Sequence, residues 1–186
     1  MDCMEMKNEM LKFNFNQNIY LIVQYHNQLN ALIGSHIAKI NDLNPTIDAK
    51  VTSEVYKNTF YPQLRNTCLL LLMSHFEEAC YLLWKSKAKE TELDKKKYSI
   101  RKYKPVLEKI GTFSNVAWNT ITDAEKVRHC LLHCYGRLSL YNDKKAIEEI
   151  IKKYNDELEI NLDRIDVKEK FIQRVVDSMR GLLNFS

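Results

Sequence analysis

The chain has 186 residues, 45% of them hydrophobic and 28% charged, with only four glycines and three prolines. That length suits one well-packed domain and is short for two, and so few turn-formers exclude a turn-rich β architecture in favour of long helices. A net charge of +4 is too mild to mark a nucleic-acid binder by itself, and the five cysteines lie in apolar or helical contexts unlike a small secreted framework, so reduced thiols and a cytoplasmic location are expected.

Residues 1–15 read as a flexible N-terminal arm and 16–186 as a single α-helical domain. The longest apolar runs, 68–73 and 79–84, are far too short to cross a bilayer, and the N-terminus has no apolar stretch of signal-peptide length, so no membrane partner is expected. Apolar residues from Ile19 to Ile40 recur at helical spacing and predict a first helix over 16–40. After a break at 41–45, Asp48 is placed to cap a short helix ending near the Tyr61-Pro62 step. Pro62 then opens a long helix, apolar over much of its circumference through Trp84, which reads as the central helix of a bundle.

Nine basic residues and three acidic ones follow between Lys85 and Lys104. Lys95, Lys96, Lys97, Arg101, Lys102 and Lys104, with Tyr98 and Tyr103 among them, are candidate RNA contacts, because cations hold phosphates and aromatic rings stack on bases. The plain alternative is a solvated loop between helices. A short helix over 104–110 stops at Gly111, and 112–120 reads as a loop carrying Trp118. Thr122-Asp123-Ala124-Glu125 has the form of a capping box, so a helix is expected from about Asp123 to Gly136. An amphipathic helix over 146–154, a short extended piece over 158–162 and a last helix over 167–185 complete the chain.

Arg128-His129-Cys130-Leu131-Leu132-His133-Cys134-Tyr135-Gly136 carries the strongest chemical signal. An arginine can hold developing charge on a phosphate, and an imidazole moves protons near neutral pH. On a helical wheel Val127, Leu131, Cys130 and Cys134 share the core side, and Arg128 and His133 stand about 140° apart. One straight helix does not bring those two together, but two copies across a two-fold axis can offer the arginine of one and the histidine of the other to a single phosphate. The His129, Cys130, His133 and Cys134 cluster has metal-like spacing, yet its cysteines point about 100° from its histidines, so no metal and no cofactor are expected there.

An arginine, four residues and a histidine, with His129 in the polar position after the arginine, resembles the motif of the HEPN superfamily. The long central helix with Ser74-His75-Phe76-Glu77, and the glycine after the motif, are similar to abortive-infection members of that superfamily. The resemblance implies an all-α, HEPN-like up-and-down bundle with a long central helix and extra short helices. It implies a metal-independent endoribonuclease of a defence or toxin system, acting as a homodimer and leaving a 2′,3′-cyclic phosphate. Arg128 would stabilise the phosphate, His133 would transfer the proton, and His129 would be a second acid-base or orienting group. Glu77 would fix Arg128 or a histidine, or be an ordinary surface carboxylate. Tyr135 falls where antitoxin-paired members carry a tyrosine modified by a nucleotidyltransferase partner. The alternatives are a non-catalytic HEPN-like module that binds nucleotide or RNA, and a plain helical interaction protein.

Overall fold

The computed structural model describes residues 3–43, 46–94, 99–111 and 113–184. Its first helix, α1, spans Cys3–Leu43. The chain is thus helical from Cys3 onward where an arm is expected over 1–15, because Phe15 and Ile19 are buried and Leu11 packs on the core, and tertiary burial supports helix beyond what local propensity signals. Between Lys12 and Lys39 this helix has no charged residue, and Phe13, Tyr20, Leu21 and Leu32 lie exposed, roughly opposite the core stripe.

Helix α2 (Ile47–Val55) starts at Thr46, whose hydroxyl accepts the Ala49 N–H at 3.3 Å; Asp48, the expected cap, sits in the first turn instead. It does not stop at the Tyr61-Pro62 step. A π-helical turn over Tyr56–Phe60 carries the chain directly into α3 (Tyr61–Lys87). Pro62 has no N–H to donate, and its ring would crowd a carbonyl one turn back, so the wider π turn accommodates it without a break. Helix α3 is the expected central element: Leu69, Leu72, Met73, Phe76 and Leu83 are buried, and it packs against α1.

A 3₁₀ turn over Ile100–Tyr103 leads into α4 (Lys104–Ile110), which ends at Gly111. Helix α5 spans Asn115–Cys134 and packs against α3. The expected start near Asp123 is corrected by about two turns. Ser114 is the cap, its hydroxyl accepting the Ala117 N–H at 3.3 Å, while Thr122 lies inside the helix and donates its hydroxyl to the Asn119 carbonyl. Trp118, expected in a loop, is a buried helical residue, and with Ile121 and Ala124 it gives those extra turns their core face.

After α6 (Lys144–Lys153) the chain forms a hairpin, β1 (Leu158–Asn161) paired antiparallel with β2 (Arg164–Val167). Only the first strand is legible as an extended piece. Leu162 and Asp163 form the two-residue turn, with φ of 47° and 68°, the left-handed pair of a type I′ hairpin. The last helix, α7 (Glu169–Leu182), begins later than expected because Val167 pairs with Leu158 in the sheet. It packs against both α5 and α3. The buried His26 of α1 meets the Glu169 carboxylate at 3.0 Å, joining the first and last helices. The molecule is therefore mostly helical, and none of its described helices is long and apolar enough to cross a membrane.

A candidate phosphate site at the end of helix α5

Helix α5 presents Arg128 to α3 and both motif histidines to solvent. Arg128 Nη1 lies 3.5 Å from Glu77 Oε2, with the arginine side chain only 19% exposed. Among the described residues, its buried Nε–H has no acceptor. Glu77 is shared, because Lys102 Nζ approaches its other oxygen at 3.9 Å. Burial and the Glu77 charge push the phenol of the neighbouring Tyr103 up to about 12, so it stays protonated beside the carboxylate.

Glu125, three residues before Arg128, is 4% exposed, and nothing in its local sequence marks it for this role. Its Oε1 accepts the Ile100 N–H at 3.0 Å, and its Oε2 lies 3.7 Å from Arg101 Nε. A capping-box glutamate and a buried one look alike in sequence; the N-terminal extension of α5 turns this one inward. It ties the 3₁₀ turn of the basic segment to α5. Glu125→Leu is expected to cost about 2 kcal/mol, measured by denaturant unfolding, because it leaves the Ile100 N–H unsatisfied, whereas Glu125→Gln retains an acceptor and costs less.

The basic candidates divide. Lys95, Lys96 and Lys97 lie outside the described residues. Arg101 and Lys102 face Glu125 and Glu77, and Lys104 lies 3.5 Å from Glu108. These pairs leave their cations partly exposed, so they are weak and open to exchange for phosphate.

His129 and His133 are exposed and pack edge to face, with ring centroids 5.9 Å apart. Among the described residues, no hydrogen bond, ion pair or ring contact joins Arg128 to either. The wheel separation thus persists in the folded chain: the arginine faces α3, and the histidines face outward. Cys130 and Cys134 turn inward, with Sγ atoms facing the carbonyls of Arg137 and Leu140. Burial raises the Cys130 thiol to about 11, keeping it protonated. Among the described residues, no three His, Cys, Asp or Glu side chains gather as a metal set.

The helix ends as the sequence suggests, and one residue earlier as well. Gly136 has φ of 74°, and Tyr135, 82% exposed, is itself left-handed at 51°. Both amides turn back to the Cys130 carbonyl. A Cβ on Gly136 would meet Leu131 at 3.2 Å in a backbone that L side chains rarely adopt. Gly136→Ala is expected to lower stability by about 1–2 kcal/mol, and Tyr135→Gly to keep or raise it by up to about 1 kcal/mol, both measured by thermal unfolding.

No protein-family description, no curated protein and no solved structure matches this chain. The class that fold and site define is a mostly helical protein with a charged seam and a histidine pair at the end of one helix.

Proposed function

We propose that this protein is a metal-independent endoribonuclease of a defence or toxin system, cytoplasmic and homodimeric, with Arg128 and His133 acting at one RNA phosphate. The observation that carries the reading is the division of labour at the end of α5: a guanidinium held against α3 by Glu77, and two accessible imidazoles beside each other. In the reaction, the ribose 2′-oxygen bonds to the adjacent phosphorus as its proton passes to His133. The bond from phosphorus to the 5′-oxygen then breaks, and that oxygen takes a proton from an imidazolium. The products are a 2′,3′-cyclic phosphate and a 5′-hydroxyl end.

Arg128 stabilises the non-bridging oxygens through a planar fork of donors that lysine cannot reproduce. Glu77 positions that fork, and His129 supplies or orients the second proton carrier. Because Arg128 and His133 face apart, the working site takes its arginine from one subunit and its histidine from the other. Tyr135, projecting at the end of the motif, is the residue within reach of a modifying nucleotidyltransferase or antitoxin partner.

The second reading is a non-catalytic module that binds nucleotide or RNA. It is favoured by the pairing of Arg128, Arg101, Lys102 and Lys104 with carboxylates. Incubation of several RNAs with the protein in excess chelator separates the two: the nuclease yields cyclic-phosphate ends, and the module leaves every RNA intact.

A further inference from the structure

A polar cleft of about 420 Å³ lies between the start of α3 and the hairpin, apart from the Arg128 and His133 site. Tyr135 lines it, but neither Arg128 nor His133 does. Its cationic wall is unusual. An isolated antiparallel bridge pairs Arg137 with Arg164, flanked by the bonds from Leu138 N to Asp163 O and from Ile165 N to Gly136 O. That pattern makes the two arginines a non-hydrogen-bonded pair, the kind that brings side chains closest, on one face and about 4.5–5.5 Å apart at their bases.

Like charges directly opposite each other are unfavourable, and among the described residues no carboxylate makes a direct ion pair with either, although Asp163 attracts Arg137 from nearby. Both arginines are exposed, and neither has a hydrogen bond or ion pair to a carboxylate among the described residues. Asp166 of the cleft is already held by Arg65 and Lys168, at 2.8 and 2.6 Å. Asp163, near enough to feel Arg137, takes the backbone N–H and the hydroxyl of Ser139. The arrangement fits an anion that both guanidinium groups can share.

The facing wall is made of amides. Asn58 of the π turn, with Gln63 and Asn66 of α3, offers both donors and acceptors. Among the described residues, the buried Asn66 Oδ1 has no donor. At the rim, Tyr135 is held left-handed and 82% exposed, and Leu162 is left-handed and 93% exposed, so an aromatic and an aliphatic side chain project from strained backbone beside the amides. Amides that read the edge of a base, a ring to stack on it and an arginine pair for its phosphate together define a nucleotide.

We propose that this cleft binds one nucleotide unit, its phosphate on Arg137 and Arg164 and its base between Tyr135 and the amides of Asn58, Gln63 and Asn66. The unit is either a free nucleotide or one residue of an RNA strand, and the site does not require the chain to cleave RNA. The test is calorimetric titration of the full chain with inorganic phosphate, AMP and a 2′-O-methyl RNA pentamer, which has no 2′-hydroxyl to react.

Arg137→Gln and Arg164→Gln are each expected to weaken AMP or pentamer binding about tenfold. For the pentamer, the log–log salt slope is also expected to shrink by about 0.7 per lost contact. Both side chains are exposed and their substitution leaves the backbone ladder in place, so either single variant carries the test if the other does not fold. AMP binding tighter than the pentamer identifies a free nucleotide, and the reverse identifies a strand. Absence of binding by all three probes at millimolar concentration, or unchanged affinity in folded variants, overturns the proposal. A chain that binds AMP through these arginines yet cuts no RNA retains this site and loses the nuclease reading; one that cuts RNA but binds no probe here does the opposite.

Discussion

Arg128→Ala and His133→Ala are each expected to reduce chelator-resistant RNA cleavage by at least about 100-fold, with the fold retained. Arg128 contributes charge stabilisation that exists chiefly in the transition state, so its loss falls on the rate of cutting more than on RNA affinity. Arg128→Lys keeps the charge but not the fork, and is expected to recover only a small part of the rate. His133 is exposed, and its substitution leaves the packing of α5 intact. Single-turnover cleavage with saturating enzyme, alongside circular dichroism, checks both statements. Full activity in either folded variant contradicts the assigned roles.

The largest stability effect is expected at Arg65. Its Nη2 meets Asp166 Oδ1 at 2.8 Å, and its Nε donates to the Val167 carbonyl, with the two side chains only 14% and 12% exposed. This contact pins the hairpin to α3. Arg65→Ala leaves the Val167 carbonyl without its donor and a largely buried carboxylate with Lys168 as its one remaining cation among the described residues, and is expected to cost about 3 kcal/mol; Asp166→Asn, which retains part of the hydrogen bonding, costs less.

Burial pushes the Asp166 carboxyl up, but the hydrogen bonds from Lys168 and Arg65 outweigh it and hold the group below its ordinary value. Glu169 is also lowered, first by its hydrogen bond to His26. A carboxyl lowered in the folded state stabilises the protein fully above its unfolded value, about 4, and that stabilisation is lost as the pH falls through the folded value. Stability should therefore fall on acidification below about pH 4, and Asp166→Asn should flatten that fall. Denaturant midpoints recorded from pH 7 down to 3 test this; an equal fall in variant and wild type contradicts it.

Much of the helical framework is legible in the sequence where hydrophobic period and punctuation agree. Pro62 and the apolar run after it mark α3, and Gly136 marks the end of α5. The start of α5 is misread because Thr122 and Glu125 match a capping box while Ser114 offers a cap with no glutamate three residues on. The choice is made by burial of Trp118, a tertiary fact. Strand β2 is hidden because its turn, Leu162-Asp163, lacks the asparagine-glycine signal of a type I′ hairpin.

At the site, the angular separation of Arg128 from the histidines follows from residue spacing alone, and Glu77 is recognisable only as a candidate. The inward turn of Glu125, the Arg65 clamp and the opposed pair of Arg137 and Arg164 depend on contacts between elements far apart in the chain, which no local pattern encodes.

Mixing inactive Arg128→Ala and His133→Ala proteins under conditions that exchange subunits tests the shared active site most directly. Half of the dimers at equilibrium are mixed, and each of these has one intact arginine–histidine pair of its two, so activity should return to about one quarter of wild type. Mixtures that stay as inactive as their parents, although subunit exchange is demonstrated by differential labelling, would contradict a site built from two chains.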